Sequence, residues 1–282
     1  MRSAAVVLVA LTAVASAKPA RWQTLTPPTA TMPTAASTGF VERDGASLYY
    51  ATYGDAKNPP VVLLHGGMGN SDHWVLQIPA LTDKLYVIAI DSRGQGRSTR
   101  TKAKPSYDLM ADDVLAVLDK LEVKHAAFVG WSDGGEIALK LGIHHPDRVD
   151  KLFVMGANYD ANGSKPRSGK PSQTFATYSA RCRKDYAKLS KTPKQFDQLT
   201  QWLLPIWKNP MGFTKDQLKQ IKAPTVIADG DHDEIIKLSQ LEEMAKLIPN
   251  AKLRVFADTS HFVLWQDTES LNAALVEFLT AN

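Results

Sequence analysis

A serine hydroxyl is a weak nucleophile until a base takes its proton and an oriented acid holds that base. The segment Gly130-Trp131-Ser132-Asp133-Gly134 is a G-x-S-x-G pattern. It lies between a strand candidate at 126–130 and a helix candidate at 134–144, the setting in which the pattern forms a nucleophile elbow. The serine must stand on a sharp, strained turn so that its hydroxyl clears the sheet. Side chains two residues to either side would strike the neighbouring strand and helix, which calls for Gly130 and Gly134. Ser132 is therefore the expected nucleophile.

Of the seven histidines, His261 is the expected base. It follows a strand candidate ending at Phe256 and precedes the last helix. His144 and His145 end a helix, His125 precedes a strand, and His73 lies on the first helix. Asp233 in Gly230-Asp231-His232-Asp233 follows the strand candidate 225–228 and is the expected acid, with Asp160, after an earlier strand, as the alternative. Parallel strands bring their C-terminal ends to one sheet edge, so residues that follow different strands converge there. Asp231, His232 and Asp233 also invite a metal reading, but no further ligands stand at suitable spacing. No metal is expected.

A tetrahedral intermediate needs donors aimed at its oxyanion. The loop His65-Gly66-Gly67-Met68-Gly69 follows a buried strand, and its backbone can approach a ligand closely. The N–H groups of Gly67 and Asp133 are the expected pair, with His65 tying the loop down. The turn Asp91-Ser92-Arg93-Gly94-Gln95-Gly96-Arg97-Ser98 lacks the Lys-Ser/Thr ending of a phosphate-binding loop and the helix that should follow, and reads as scaffold.

These residues need a framework of alternating strands and helices, and 282 residues suit one large α/β domain or two small ones. The short apolar run at 61–64 reads as a strand buried on both faces and 86–90 as the next buried strand; 126–130, 152–155, 225–228 and 253–256 read as further strands, and 47–53 alternates like an edge strand. Helices are expected over 71–81, 107–121, 134–144, 238–247 and 270–279. About sixty residues, 158–219, hold no strand candidate but two helix candidates, at 173–189 and 194–208; a structureless loop of that length would be unusual, so this is an inserted helical cap.

Ahead of the domain at 40–282, residues 18–39 are rich in Pro, Thr and Ala and read as a flexible leader. Arg2, the apolar run 4–15 and Ala15-Ser16-Ala17 read as a signal peptide over 1–17, cleaved near Ala17/Lys18, and imply a periplasmic or secreted protein. An uncleaved anchor is the alternative, but the run is short for a membrane span. No stable membrane insertion is expected after cleavage. The single Cys182 cannot close an intrachain disulfide. A net charge of +4, with no basic run interleaved with aromatics, gives no footing for nucleic acid.

The His65-Gly66-Gly67 loop, the Asp91 to Ser98 turn, the Gly130-Trp-Ser-Asp-Gly-Gly elbow, the Asp233 turn and Ser260-His261-Phe262 together resemble the α/β-hydrolase superfamily, with an elbow similar to that of valacyclovir-hydrolase-like carboxylesterases. The resemblance runs from about Val61 to the C-terminus. It implies the α/β-hydrolase fold, a mostly parallel sheet with helices on both faces, and cofactor-free hydrolysis of a small-molecule ester, thioester, lactone or amide through an acyl-enzyme. Ser132 argues against the dehalogenase and epoxide-hydrolase branches, which place Asp at the elbow. Met68 departs from the His-Gly-Gly-Pro-Gly loop of proline iminopeptidases. Met68, Trp131, Trp202, Trp207 and Phe262 are expected to line the substrate pocket, with Phe175, Tyr178 and Phe196 as further cap aromatics that could equally pack the cap onto the sheet. Arg181, Arg183 and Lys184 favour an anionic substrate, and Asp133 opposes one. A receptor-like binder with negligible turnover and a cofactor-free perhydrolase or haloperoxidase are the rival functions.

Overall fold

The computed structural model describes residues 19–166, 169–208 and 212–281; the expected signal peptide and its cleavage point lie outside them. The strands are β1 (Ser37–Arg43), β2 (Ala46–Tyr53), β3 (Pro60–Leu64), β4 (Tyr86–Ile90), β5 (Ala126–Trp131), β6 (Val149–Met155), β7 (Thr225–Gly230) and β8 (Ala251–Phe256). They form one sheet in the order β1-β2-β4-β3-β5-β6-β7-β8, antiparallel at β1/β2 and β2/β4 and parallel elsewhere. Val61 to Leu64 and Phe128 and Val129 are fully buried, which explains their unbroken apolar runs. Each such side chain contributes about 1.5–3 kcal/mol.

The helices are α1 (Ile78–Leu81), α2 (Tyr107–Lys120), α3 (Asp133–His144), α4 (Gln173–Leu189), α5 (Phe196–Lys208), α6 (Lys215–Leu218), α7 (Leu238–Leu247), α8 (Val263–Gln266) and α9 (Thr268–Thr280). The chain leaves β3 towards β4, then crosses back over β3 to β5 and continues outwards to β8. Right-handed crossovers in opposite directions put helices on opposite faces. Accordingly α1 packs with α9, while α2, α3, α6 and α7 pack in succession on the other side. The reversal at β3 and β5 opens a crevice beyond their C-terminal ends.

The cap segment between β6 and β7 carries α4, α5 and the short α6. No described helix is long and apolar enough to cross a membrane. The helix expected over 71–81 is two pieces, a 3-10 turn at Ser71–Trp74 and α1, because Pro79 brings no N–H to a continuous ladder.

Residues 19–39 depart from the expected loose leader. Ser37 to Gly39 already belong to β1, which displaces β2 from the expected edge; the exposed-to-intermediate burial of β1 explains its weak apolar signal. Upstream, Leu25 is buried in the core. Trp22 stacks on His232 at 4.6 Å, the Arg21 guanidinium donates to the Ala257 carbonyl at 2.7 Å, and Arg181 donates to the Pro28 carbonyl at 2.9 Å. Composition alone missed this docking because its partners, Arg181, His232 and Ala257, are remote in sequence.

Candidate active site

Ser132 sits between β5 and α3 at φ 55° and ψ −122°. A non-glycine residue in this region carries about 1–3 kcal/mol of strain and persists only where its surroundings impose it. Here the Ser132 N–H donates to the Met155 carbonyl at 2.8 Å, and its own carbonyl accepts from the Gly135 and Glu136 N–H groups. A methyl group on Gly130 would lie 2.2 Å from the Gly134 carbonyl oxygen, and one on Gly134 would lie 2.1 Å from that of Leu64. Both elbow glycines are thus dictated by packing against β3 and α3.

The loops after β7 and β8 bring Asp233 and His261 together, with His261 Nδ1 donating to Asp233 Oδ2 at 2.5 Å. The Ile235 and Ile236 N–H groups hold Asp233 Oδ1 at 2.5 and 2.7 Å. Burial works against the Asp233 anion, yet the His261 charge and these donors hold it below the usual carboxylate range. Burial likewise opposes the imidazolium, and the Asp233 carboxylate overcomes it, so His261 lies above the ordinary imidazole value. The base form of His261 is needed to accept a proton, so kcat/KM should fall as pH drops through that raised value. A pH profile should therefore place the acid limb above about 6.5, the ordinary histidine value.

The rival acid Asp160 is occupied elsewhere, accepting from the Asn162 N–H at 2.8 Å and Gln240 Nε2 at 2.7 Å. Asp231 pairs with His232. Glu234, which sequence reasoning overlooked beside the acid, accepts the His261 N–H at 3.2 Å and also the hydroxyls of Ser172 and Thr174. It ties the start of the cap helix α4 to the histidine loop.

The expected oxyanion loop is oriented through the Gly66–Gly67 peptide. The Gly66 carbonyl accepts from His65 Nδ1 at 2.8 Å and from the Gly69 N–H at 3.0 Å. Carbonyl and N–H of one trans peptide point in opposite directions, so fixing the first aims the Gly67 N–H. His65 Nε2 accepts the Ser92 N–H at 2.9 Å, which assigns the proton to Nδ1. Burial pushes the His65 imidazole down to about 4, keeping this tautomer neutral. The Asp91 turn behind it is scaffold: Asp91 accepts from Ser71 and from the Arg97 N–H. A His65→Ala variant should lose about 10-fold to 10²-fold in kcat with little change in KM, in steady-state kinetics on folded protein, because a misaimed donor weakens the transition state more than substrate binding.

A small cavity of about 40 Å³ unites Ser132 and His261 with Gly66, Gly67, Met68, Trp131, Phe175, Tyr178, Trp207 and Ile235. Three expected pocket residues, Met68, Trp131 and Trp207, line it. Two do not. Trp202 turns its Nε1 to the Ala103 carbonyl at 2.8 Å, and Phe262 is fully buried behind the site, against Trp131 and Tyr178. Phe196 packs on Tyr186, Arg181 pairs with Asp185, and Arg183 pairs with Asp197; none of the three is among the cavity-lining residues. The Asp133 carboxylate accepts from Trp207 Nε1 at 3.0 Å and from the Tyr107 hydroxyl at 3.2 Å, pinning the cap to the elbow. Ile235 was missed: nothing in its local sequence marks it, and only the turn after Asp233 turns it to the cavity. Tyr178 donates to the Gly67 carbonyl at 2.8 Å. A second cavity of about 310 Å³, lined by Lys170, Ser172 and Glu234 among others, shares Phe175 and Ile235 with the first.

The family model described as the alpha/beta hydrolase fold matches residues 59–182 and 163–268. The non-heme chloroperoxidase CPO-A1 of Kitasatospora aureofaciens is 29% identical over 270 residues, 84% of this chain and 97% of the relative. Among solved structures, a meta-cleavage product hydrolase from Pseudomonas fluorescens superposes with a TM-score of 0.73 at 23% identity, over 86% of this chain and 97% of the other; at that identity it speaks to the fold alone. A structure described as an N-acyl homoserine lactone degrading enzyme has a TM-score of 0.64 at 29% identity, over 85% of this chain and 99% of the other.

Proposed function

The chain belongs to the α/β-hydrolase fold family, and from that premise we propose that it is an exported serine hydrolase that cleaves a carboxylic ester or lactone of a small molecule through an acyl-enzyme. The observation that carries the reading is the strained Ser132 in one cavity with His261, whose Nδ1 is held by Asp233. With Nδ1 committed, Nε2 is the nitrogen left to take the serine proton. Ser132 Oγ then attacks the acyl carbonyl, and the oxyanion draws on the Gly67 and Asp133 N–H groups. His261 returns the proton to the departing alcohol. Water, deprotonated by His261, attacks the acyl-enzyme and releases the acid and the free serine.

The 40 Å³ cavity accommodates little more than the reacting group, and its Met68, Trp131, Phe175, Trp207 and Ile235 surfaces favour an apolar neighbour to the carbonyl. The 310 Å³ cavity beyond Phe175 and Ile235 is the natural place for the rest of the substrate. A panel of p-nitrophenyl esters of increasing acyl length, with an acyl homoserine lactone alongside, tests the reading. Turnover with fluorophosphonate labelling mapped to the Ser132 peptide is expected. Labelling without turnover of any member would point to a receptor-like binder, and absence of labelling would overturn the assignment. The chloroperoxidase relative favours a second reading, in which hydrogen peroxide replaces water at the acyl-enzyme and leaves as a peracid. Halogenation that requires both peroxide and a carboxylic acid would support it.

Export rests on Arg2, the apolar run 4–15 and Ala15-Ser16-Ala17. N-terminal sequencing of the protein recovered outside the cytoplasm is expected to begin near Lys18. No cofactor and no nucleic-acid partner form part of this proposal.

A further inference from the structure

Behind the triad acid lies a second carboxylate that the mechanism does not use. Asp229 is the last residue but one of β7 and is 1% exposed. One ligand-type atom from each of Asp229, Asp233 and His261 lies within 4.8 Å of the others. Two buried carboxylates that close do not both ionise; one keeps a proton.

Hydrogen bonding decides which. Asp233 is held as an anion by three donors, the Ile235 and Ile236 N–H groups on Oδ1 and His261 Nδ1 on Oδ2, and Oδ2 keeps room for one more. Asp229 Oδ1 accepts the Gly230 N–H at 2.8 Å. Asp229 Oδ2 has no hydrogen-bond partner among the described residues. A buried carboxylate oxygen without a donor is costly, whereas a protonated carboxyl becomes a donor, and Asp233 offers Asp229 a carboxylate oxygen within 4.8 Å. Burial, and after it the Asp233 charge, pushes the Asp229 carboxyl well above its usual range, while hydrogen bonding from Asp229 helps hold Asp233 below its own.

We propose that Asp229 is a positioning residue kept as the neutral acid, donating to the Asp233 carboxylate and so sharing it with His261. This rests on the serine hydrolase reading above. A donor on Asp233 draws charge from it and weakens its hold on the imidazolium. His261 therefore remains a neutral base to lower pH than an Asp233–His261 pair alone would allow. The other charged groups acting on His261 are Glu234, at its N–H, and Asp133 of the elbow. Lys165 from the cap segment donates to the Asp233 carbonyl. All of these remain in the variants below.

The test is a pH titration of His261 by nitrogen-15 NMR, without substrate, in the wild type, Asp229→Asn and Asp229→Val. Asparagine keeps a neutral donor, and valine removes it at similar volume in a strand. Valine is expected to raise the His261 midpoint, and with it the acid limb of kcat/KM, by about one pH unit, a tenfold change; asparagine should restore both to wild type. If neither variant moves the midpoint, Asp229 only fills space and the proposal falls. If both lower it, Asp229 is an anion in the wild type and the proposal is also overturned. Should the valine variant not fold, carbon-13 NMR of labelled aspartate decides: a carboxyl protonated at neutral pH, lost in Asp229→Asn, supports the inference, and its absence removes it. Failure of every ester substrate with these titrations intact would sink the activity reading and leave the pairing standing.

Discussion

Replacing Ser132 with alanine is expected to lower kcat by about 10⁶-fold, roughly 8 kcal/mol of transition-state stabilisation, by analogy with removal of the nucleophile in other serine hydrolases. Alanine carries no group that can form the acyl-enzyme, while the oxyanion loop and the cavity remain in place. KM should change little, because the hydroxyl acts in the reaction and not in holding substrate. The variant should keep its melting temperature or gain slightly, since the wild-type side chain at φ 55° is retained for chemistry and not for packing. Ester turnover measured on purified protein, with loss of fluorophosphonate labelling in parallel, checks the prediction. Activity within tenfold of wild type would mean that another residue is the nucleophile.

Asp233→Asn is expected to cost on the order of 10⁴-fold in kcat. The amide fits where the carboxylate was, but its NH₂ competes with His261 Nδ1–H, and it cannot offset the imidazolium that forms during attack. The wrong tautomer would then present a protonated Nε2 to Ser132. Asp160→Asn should leave kcat within about twofold, since Asp160 serves the Asn162 turn and Gln240. Steady-state kinetics of the two variants side by side check the assignment. A large loss in Asp160→Asn with little in Asp233→Asn would reverse the roles of the two acids.

The contrast between these acids marks where sequence reading reached its limit. Asp160 and Asp233 both follow strands of the same sheet, and chain position favours Asp233 without excluding Asp160. Only the paths of the two turns bring one carboxylate to His261 and send the other to cap a turn. The pocket divides likewise. Trp202 and Trp207 lie on one helix, five positions apart, yet Trp207 reaches the cavity through its bond to Asp133 and Trp202 turns to Ala103. Helical periodicity ranks faces of a helix but does not state which face meets the sheet, because that depends on how the cap is set down.

What the sequence determined by itself was local and steric. The G-x-S-x-G spacing, the apolar runs of the buried strands and the glycines of the 65–69 loop each leave a short pattern that can be read from a few residues, even where the group a glycine must clear is remote, as the Leu64 carbonyl is for Gly134. The tertiary structure decided what depends on distant partners. It docked Arg21 and Trp22 against Ala257 and His232 and tied Pro28 to Arg181, added β1 at the sheet edge, turned Ile235 and Tyr178 to the cavity, and placed Asp229 behind Asp233. A contact between elements remote in sequence leaves no local pattern unless it demands a glycine. Its energy comes from surfaces and charges that only the folded chain brings together, and in this chain those meetings bring Asp233 and Asp229 to His261 and shape the cavity beside Ser132.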